Sequence, residues 1–236
     1  KFLLRKANII ITPSYFLKNA ISYLFNIPSY KVVVLDNGYD ITIFKNFKKI
    51  EHKRKVIFGY LGGFVHHKGI RIIVNAFTKI QNFNAELWVF GECLPISYIY
   101  KEIFKKIKKH KNIKILKSFS NPKQAFKYID ILVIPSIIPE NAPMVVKEAL
   151  ITNVPILASN MGGIPEYVID GISGLLFRAC NSHDLYLKIN YILKNIDILK
   201  FMSNNIKKKC IVMPIEKHVT KLEFLYGQCL KEKYVT

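Results

Sequence analysis

Short apolar runs alternate with stretches of helical periodicity along most of this chain. Runs rich in Val, Ile and Leu, such as residues 131–135, are bounded by polar residues and have the length of buried strands. Between these runs, apolar residues recur every three or four positions, which is the spacing of one helix face. Strands that alternate with helices in this way form βαβ units and pair in parallel. The predicted fold class is therefore α/β, with a doubly wound, Rossmann-like parallel sheet.

A polar stretch at residues 36–54 divides the pattern into two sets. Predicted strands lie at residues 7–12, 31–35, 55–61, 85–91, 112–116, 131–135, 154–159 and 174–177. Predicted helices lie at residues 14–24, 69–80, 97–110, 122–128, 143–151 and 183–194. The two strands before the polar stretch are too few for a stable sheet. We therefore expect residues 1–52 to be an incomplete Rossmann portion with its linker, residues 53–212 to be a complete domain, and residues 213–236 to form a C-terminal helix within a tail that is helical throughout from residue 196.

Composition narrows the class of protein. The chain has 236 residues, of which 50% are hydrophobic, so it can bury a core and is not disordered. No apolar run approaches the roughly 18 to 20 uncharged residues that span a bilayer. The four cysteines have neither metal-ligand nor disulfide spacing. We expect no metal site and a reducing, cytoplasmic location.

The formal net charge of +20 predicts a polyanionic partner, such as acidic lipid headgroups or nucleic acid. The lysines are nevertheless spread along the chain, as an AT-rich coding sequence would produce. The basic stretch at residues 101–117 contains interleaved Phe and Ile, and it fits either a membrane-facing amphipathic helix or an ordinary solvated helix face. Aromatic residues mostly fall at core positions, so we do not expect nucleic acid to be a partner.

Two glutamates eight residues apart stand out near the middle of the chain. Counting from Glu140 to Glu148 along a helix at about 1.5 Å and about 100° per residue places them about 12 Å apart and within about 80° of one face. That separation suits a ligand with hydroxyls at both ends and phosphates between them. Without further context, two glutamates at this spacing more often lie on a solvated helix face. Glu140 could also stabilise the N-terminus of a helix, where the helix dipole is positive. The apolar neighbours of Glu148 would half-bury its carboxylate.

A glycine pair follows the third predicted strand. Gly62 and Gly63 would let the backbone approach a diphosphate, and the helix that begins near Gly69 would direct amide groups toward it. Lys68 would add a mobile cation for a phosphate, although a solvated lysine at the start of a helix is the ordinary alternative.

Six segments of this chain occur in the order seen in one enzyme family. They are VLDNGYD (34–40), FGYLGGFVHHKG (58–69), DILVIPS (130–136), the element that holds Glu140 and Glu148, GGIPE (162–166) and GISGLLF (171–177). In this order they resemble the retaining glycosyltransferases of the GT-B fold, specifically the family-4 type, also called group 1. The resemblance covers about residues 7–230.

The resemblance implies a retaining glycosyltransferase of the hexosyltransferase type, acting in polysaccharide or glycolipid synthesis. Residues 53–212 would bind the nucleotide diphosphate sugar, and residues 1–52 would be the end of an acceptor domain. No cofactor or metal is implied. The implied partners are the nucleotide sugar, a glycan or lipid-linked acceptor, an anionic membrane contacted peripherally on its cytoplasmic face, and a separate N-terminal acceptor subunit. The alternative is a catalytically inactive nucleotide-sugar-binding fragment or subunit that needs an N-terminal partner.

The resemblance also implies roles for individual residues. Lys68 would have a catalytic role by taking up charge on the leaving diphosphate, and Glu140 by contacting hydroxyls of the transferred sugar. Glu148 would accept hydrogen bonds from the ribose hydroxyls. Ser118 and Phe119 would contact the base, although a plain loop explains them almost as well. The remaining implied binding residues are Gly62, Gly63, Asn141, Ala142, Pro143, Met144 and Val145.

Overall fold

The computed structural model describes residues 2–50, 55–81, 84–91, 98–116 and 121–234. Its strands are β1 (Ile10–Thr12), β2 (Val32–Val34), β3 (Val56–Leu61), β4 (Ala85–Phe90), β5 (Ile113–Leu116), β6 (Ile131–Ile134), β7 (Ile156–Ser159) and β8 (Gly174–Phe177). Its α-helices are α1 (Phe2–Lys6), α2 (Tyr15–Phe25), α3 (Ile70–Phe77), α4 (Tyr98–Lys109), α5 (Pro122–Phe126), α6 (Met144–Ile151), α7 (Ser182–Lys194), α8 (Asp197–Lys209) and α9 (Ile215–Tyr234). The predicted strands are all present, with ends that differ by a few residues, whereas α1 was not predicted.

The six later strands form one parallel sheet in the order β5-β4-β3-β6-β7-β8. In this order the chain moves outward from β3 to β5, returns to the centre and then moves outward the other way from β6 to β8. It is the doubly wound order, and the direction reverses between the neighbours β3 and β6. The predicted α/β fold class is confirmed. Ligands of such sheets bind outside the carboxyl ends of the strands at this reversal.

Two hydrophobic layers cover the sheet, because successive side chains of a strand point to opposite faces. In β3, Phe58 is buried in a cluster shared with α3, α4 and α7, while its neighbour Ile57 is buried in a cluster shared with α5 and α6. In β6, Val133 is buried in the first of these clusters and Leu132 in the second. The central strands are thus apolar on both faces, which explains their continuous hydrophobic runs.

The apolar face of the basic helix α4 is buried. Ile103 and Ile107 join the core, and the ring of Phe104 stacks on Phe64 with centroids 5.5 Å apart. The interpretation of this face as a membrane-facing surface is therefore wrong, and its lysines form a solvated helix face. Over the described ranges, no helix has the length and apolar character that a membrane crossing needs.

The N-terminal strands β1 and β2 pair in parallel as a separate two-stranded sheet beside α2. Helix α2 is attached to the 3-10 turn between β7 and β8 by Glu166, whose carboxylate accepts hydrogen bonds from the backbone N–H groups of Tyr15 (2.9 Å) and Phe16 (2.7 Å). A carboxylate at the start of a helix also interacts favourably with the helix dipole. The division at residues 52 and 212 into domains stays a prediction.

The prediction that the C-terminal tail is helical throughout is wrong. Helix α8 ends at Lys209, and α9 begins only at Ile215. Between them, Pro214 lies beside Tyr39: the Tyr39 N–H donates to the Met213 carbonyl (2.9 Å), and the Ile215 N–H donates to the Tyr39 carbonyl (3.1 Å). The extended backbone that makes this contact cannot be part of a helix.

The stretch predicted as a polar linker also contains structure. Residues Ile41–Phe44 form a 3-10 turn, and the side chain of Asp40 caps it by accepting from the Thr42 N–H (2.9 Å). Phe44 is buried against Phe126 of α5, with ring centroids 6.3 Å apart. The linker is therefore anchored to the larger domain by an aromatic side chain.

The buried carboxylate of Glu86 in β4 is stabilised by charged hydrogen bonds whose contribution to stability can be tested. Burial alone would raise the pKa of this carboxyl, but hydrogen bonds from Lys114, Lys55 and Trp88 lower it to about 2. Because the unfolded pKa is about 4.3, these bonds stabilise the fold above that pH, and their contribution is lost as the pH falls through about 2. Glu86→Gln should lower the free energy of unfolding at pH 7 by about 1 to 2 kcal/mol.

The measurement is urea unfolding of wild type and Glu86→Gln between pH 7 and pH 3. The difference between them should shrink toward the acid end. Glu102→Gln, which changes an exposed glutamate of α4, is the matched control and should show little difference at any pH. A Glu86→Gln effect that is independent of pH would contradict the assignment of this stability to an ionised Glu86.

Candidate functional site

The loop after β3 lies at the reversal point of the sheet. The Gly62 N–H donates to the Phe90 carbonyl (3.1 Å), and the Tyr60 hydroxyl donates to the Gly63 carbonyl (2.9 Å), so both glycines are held in place. Among the described residues, the nearest atom that a Cβ on Gly63 would meet is a side-chain carbon of Val65 at 3.9 Å. The described residues therefore do not require glycine at position 63, and they leave the space beside its backbone open to a ligand.

Gly69 fixes the start of α3 against the neighbouring strand. Its φ is +72°, and an added Cβ would lie 1.7 Å from the carbonyl oxygen of Pro135, which directly follows β6. Only glycine tolerates both the left-handed conformation and this approach. The preceding turn, His66–Lys68, is thereby held at the carboxyl ends of β3 and β6.

Lys68 and Glu140 come together at this edge of the sheet. The Lys68 ammonium lies 2.9 Å from both carboxylate oxygens of Glu140, and the Ser136 hydroxyl donates to Glu140 Oε1. The side chain of Glu140 is 14% exposed and that of Lys68 is 36% exposed, so both can reach a ligand. A cation and an anion side by side can bind a phosphate and a hydroxyl of one molecule.

Glu140 does not lie on the helix that carries Glu148. Helix α6 begins at Met144, after Pro143, and Glu140 is part of the bend that precedes it. The prediction that both carboxylates lie along one helix is wrong, and the separation calculated from helical rise does not apply. Two prolines around this bend, Pro139 and Pro143, disfavour helical conformation in the residues before them.

The second glycine pair supports this bend. A Cβ on Gly162 would lie 2.5 Å from the carbonyl oxygen of Glu140, and one on Gly163 would lie 2.0 Å from that of Asn141. The Gly163 N–H also donates to the Glu140 carbonyl (2.6 Å). Glycine at these positions therefore lets the segment after β7 pack directly on the backbone of residues 140 and 141.

Glu148 is half-buried on the first turns of α6. Burial raises the pKa of its carboxyl, and the Tyr39 hydroxyl, which donates to Glu148 Oε1 at 2.9 Å, opposes that rise. Burial and the nearby Glu148 charge raise the pKa of Tyr39 in turn, so the phenol stays protonated and acts as the donor. Ala149 and Leu150 next to Glu148 are buried.

Lys147, the neighbour of Glu148, is a buried lysine with a 1% exposed side chain. Its ammonium lies 2.6 Å from Asp36 Oδ1, donates to the Asn37 carbonyl, and sits 5.6 Å from the ring centroid of Tyr167. The Tyr167 hydroxyl also donates to Asp36 Oδ1 (2.5 Å). This cluster was not predicted from the sequence, although a lysine inside an apolar helix pattern was a signal for it.

The other predicted site residues lie around the same edge or outside the described residues. Ser118 and Phe119 lie outside them. Asn141 and Met144 are exposed, Ala142 and Val145 are partly exposed, and Pro143 is buried. None of the described side chains caps the start of α6, where Pro143 precedes the first helical residue. Among the described residues, no group of three or more His, Cys, Asp or Glu side chains could hold a metal ion.

A family model identifies the protein family of this chain. The model of the family described as Glycosyl transferases group 1 matches residues 42–209, which is more than half of the chain. The chain belongs to this family. The matched range contains Lys68, Glu140, Lys147 and Glu148.

Two curated relatives illustrate the sequence similarity. The "Uncharacterized glycosyltransferase MJ1178" of Methanocaldococcus jannaschii is 29% identical over 233 residues, which cover 97% of this chain and 62% of the relative. The "Lipopolysaccharide 1,2-N-acetylglucosaminetransferase" of Salmonella typhimurium is 27% identical over 182 residues, which cover 70% of this chain and 47% of the relative. The chain thus spans about half to three fifths of the length of its curated relatives.

Solved structures share the fold. The crystal structure of Anabaena Alr3699/HepE in complex with UDP-glucose matches with a TM-score of 0.82 at 18% identity, covering 96% of this chain and 66% of that one. The likeness supports the GT-B type of α/β fold, with its parallel sheet of six strands flanked by helices.

The buried Lys147 gives a stability prediction. Lys147→Met should lower the free energy of unfolding by about 2 to 4 kcal/mol, because it leaves the partly buried Asp36 without its cation. Adding Asp36→Asn should recover part of the loss. Chemical denaturation measures both, with Lys105→Met on the exposed face of α4 as the matched control. Equal effects of Lys147→Met and Lys105→Met would show that the buried pair does not stabilise the fold.

Proposed function

We propose that this chain is the donor-binding part of a retaining, metal-independent glycosyltransferase, which transfers a sugar from a nucleotide diphosphate sugar to a hydroxyl acceptor. The proposal rests chiefly on the Lys68–Glu140 pair, with both Nζ–Oε distances at 2.9 Å, at the reversal point of the sheet. This is where doubly wound sheets bind their ligands. Family membership supports the same proposal.

The diphosphate would bind between the loop after β3 and the start of α6. The space beside Gly63 admits it, and the uncapped start of α6 directs backbone amides and a partial positive charge toward it. Lys68 then neutralises charge that develops on the diphosphate as the glycosidic bond breaks. Lys68 can serve this role while it stays close to Glu140, because an ammonium donates three hydrogen bonds.

The two glutamates would bind opposite ends of the donor. Glu148 accepts hydrogen bonds from the ribose hydroxyls, and its partial burial strengthens these bonds relative to those of a solvated carboxylate. Glu140 contacts hydroxyls of the transferred sugar. Its contacts with Lys68 and Ser136 hold the carboxylate in place and leave a lone pair of Oε2 for a sugar hydroxyl, so Glu140 is a binding group and not a nucleophile in this proposal. The acceptor would attack from the face that the diphosphate leaves.

The wider role is proposed from the relatives. The named lipopolysaccharide transferase supports polysaccharide or glycolipid synthesis, with a glycan or lipid-linked acceptor. We propose a cytoplasmic location with a peripheral contact at an anionic membrane, which the net charge of +20 favours. Because the chain spans 47% to 62% of its curated relatives, the second candidate is a nucleotide-sugar-binding fragment or subunit that needs an N-terminal partner for transfer.

Calorimetric titration with UDP, GDP and ADP tests donor binding. We expect one of the three to bind, and Glu148→Ala to weaken that binding by about 10-fold or more, because the ribose hydroxyls lose a charged acceptor. Glu102→Ala on the exposed face of α4 is the matched control and should bind like wild type. A folded wild-type chain that binds none of the three would contradict the proposed function.

Lys68 should recognise phosphate and not the nucleoside. Lys68→Met should weaken the binding of the preferred nucleoside diphosphate by about 10-fold, because a charge-assisted hydrogen bond is lost. The affinity for the corresponding nucleoside without phosphates should change little. Competition titration measures both ligands, and Lys105→Met again serves as the control. Equal losses for nucleoside and diphosphate would remove Lys68 from the phosphate site.

A further inference from the structure

We infer that Tyr39 is a positioning residue of the donor site, whose hydroxyl holds Glu148 in the orientation that accepts the ribose hydroxyls. This inference rests on the proposed function, in which Glu148 binds ribose. The carrying contact is the hydrogen bond from the Tyr39 hydroxyl to Glu148 Oε1, at 2.9 Å, between residues 109 positions apart in sequence. Tyr39 itself does not contact the reacting atoms.

Tyr39 is rigidly held, as a positioning group must be. Tyr39 is 7% exposed, and the centroid of its ring lies 6.1 Å from the ring centroid of Phe44. Its backbone is hydrogen bonded through both N–H and carbonyl to the segment around Pro214. Gly38 allows this packing, since a Cβ there would lie 2.7 Å from the Cβ of His218. The phenol therefore reaches Glu148 from a fixed backbone.

The hydrogen bond from Tyr39 gives the two carboxylate oxygens of Glu148 different roles. Oε1 accepts the hydrogen bond from Tyr39, which fixes the rotation of the carboxylate and leaves Oε2 and the second lone pair of Oε1 for ligand hydroxyls. A half-buried carboxylate without this partner would be more easily protonated, because burial already disfavours its charge. A protonated carboxyl loses acceptor capacity, and ribose binding weakens.

Among the described residues, Tyr39 is the group whose hydrogen bond lowers the pKa of Glu148. The ammonium of Lys147 is turned toward Asp36 and Asn37. Asp40 acts on Tyr39, whose pKa it helps to raise, after the larger effects of burial and Glu148. For Glu148 itself, the opposing influences are burial and the Tyr39 hydrogen bond.

The test compares Tyr39→Phe with wild type in the full chain. Carboxyl carbon NMR of glutamate-labelled protein follows the titration of Glu148, assigned by loss of its signal in Glu148→Gln. Removing the hydroxyl takes away the influence that lowers the pKa of Glu148, so we expect that pKa to rise. Calorimetry with UDP should then show about 3- to 10-fold weaker binding at neutral pH, and the acid limb of the binding profile should move to higher pH.

The ligand 2′,3′-dideoxyuridine diphosphate makes the test specific, because it has no ribose hydroxyls for Glu148. Its affinity should be unchanged by Tyr39→Phe. Tyr167→Phe is the matched control: it removes another phenol in the same region, whose hydroxyl donates to the carboxylate of Asp36. It should alter thermal stability without moving the pKa of Glu148 or the acid limb.

The outcomes separate this inference from the proposed function. An unchanged pKa of Glu148 in Tyr39→Phe, or equal losses for UDP and its dideoxy analogue, would overturn the positioning role while wild-type UDP binding stands. A folded wild type that binds none of UDP, GDP and ADP would overturn the proposed function and this inference together. Should GDP or ADP be the nucleotide that binds, its dideoxy analogue replaces that of UDP in the same comparison.

Discussion

The burial of Lys147 is the constraint on which the arrangement of the site depends. An ammonium that is 1% exposed needs hydrogen-bond acceptors around it, and here they are a carboxylate and a carbonyl of the segment at residues 36–39. Moving that segment away would leave a cation in an apolar layer, at a cost of several kcal/mol. Helix α6 and the segment are therefore held together, and Glu148 and Tyr39 face each other as a result.

The fold was largely predictable because its signals are local. The buried strands of a parallel sheet read as continuous apolar runs, and β8 was predicted with its observed bounds, Gly174–Phe177. The linker was harder, since Phe44 stands in a polar stretch and its partner Phe126 is distant in sequence. The break before α9 depends on pairing between Tyr39 and Pro214, a long-range contact that local periodicity does not contain.

The candidate site was predictable in its residues more than in its geometry. Lys68 and Glu140 were both chosen from sequence, and the structure brings them to 2.9 Å, yet the helical separation assumed for Glu140 and Glu148 was wrong. Their relation is set by the bend before α6, whose shape depends on Gly162 and Gly163 after another strand. The contacts of Lys147 and Tyr39 were missed because their partners lie more than a hundred residues away.

One short segment joins the parts of the molecule that donor binding would couple. Asp36 follows β2 of the small N-terminal sheet, accepts from Lys147 and Tyr167, and its carbonyl lies 2.8 Å from Nδ1 of His218 on α9. Three residues later, Tyr39 reaches Glu148. A displacement of the N-terminal sheet would pull on this segment, and the buried pair would transmit the strain to α6. Because Tyr39 of the same segment donates to Glu148, the proposed binding of ribose at Glu148 would be coupled to the position of the N-terminal portion.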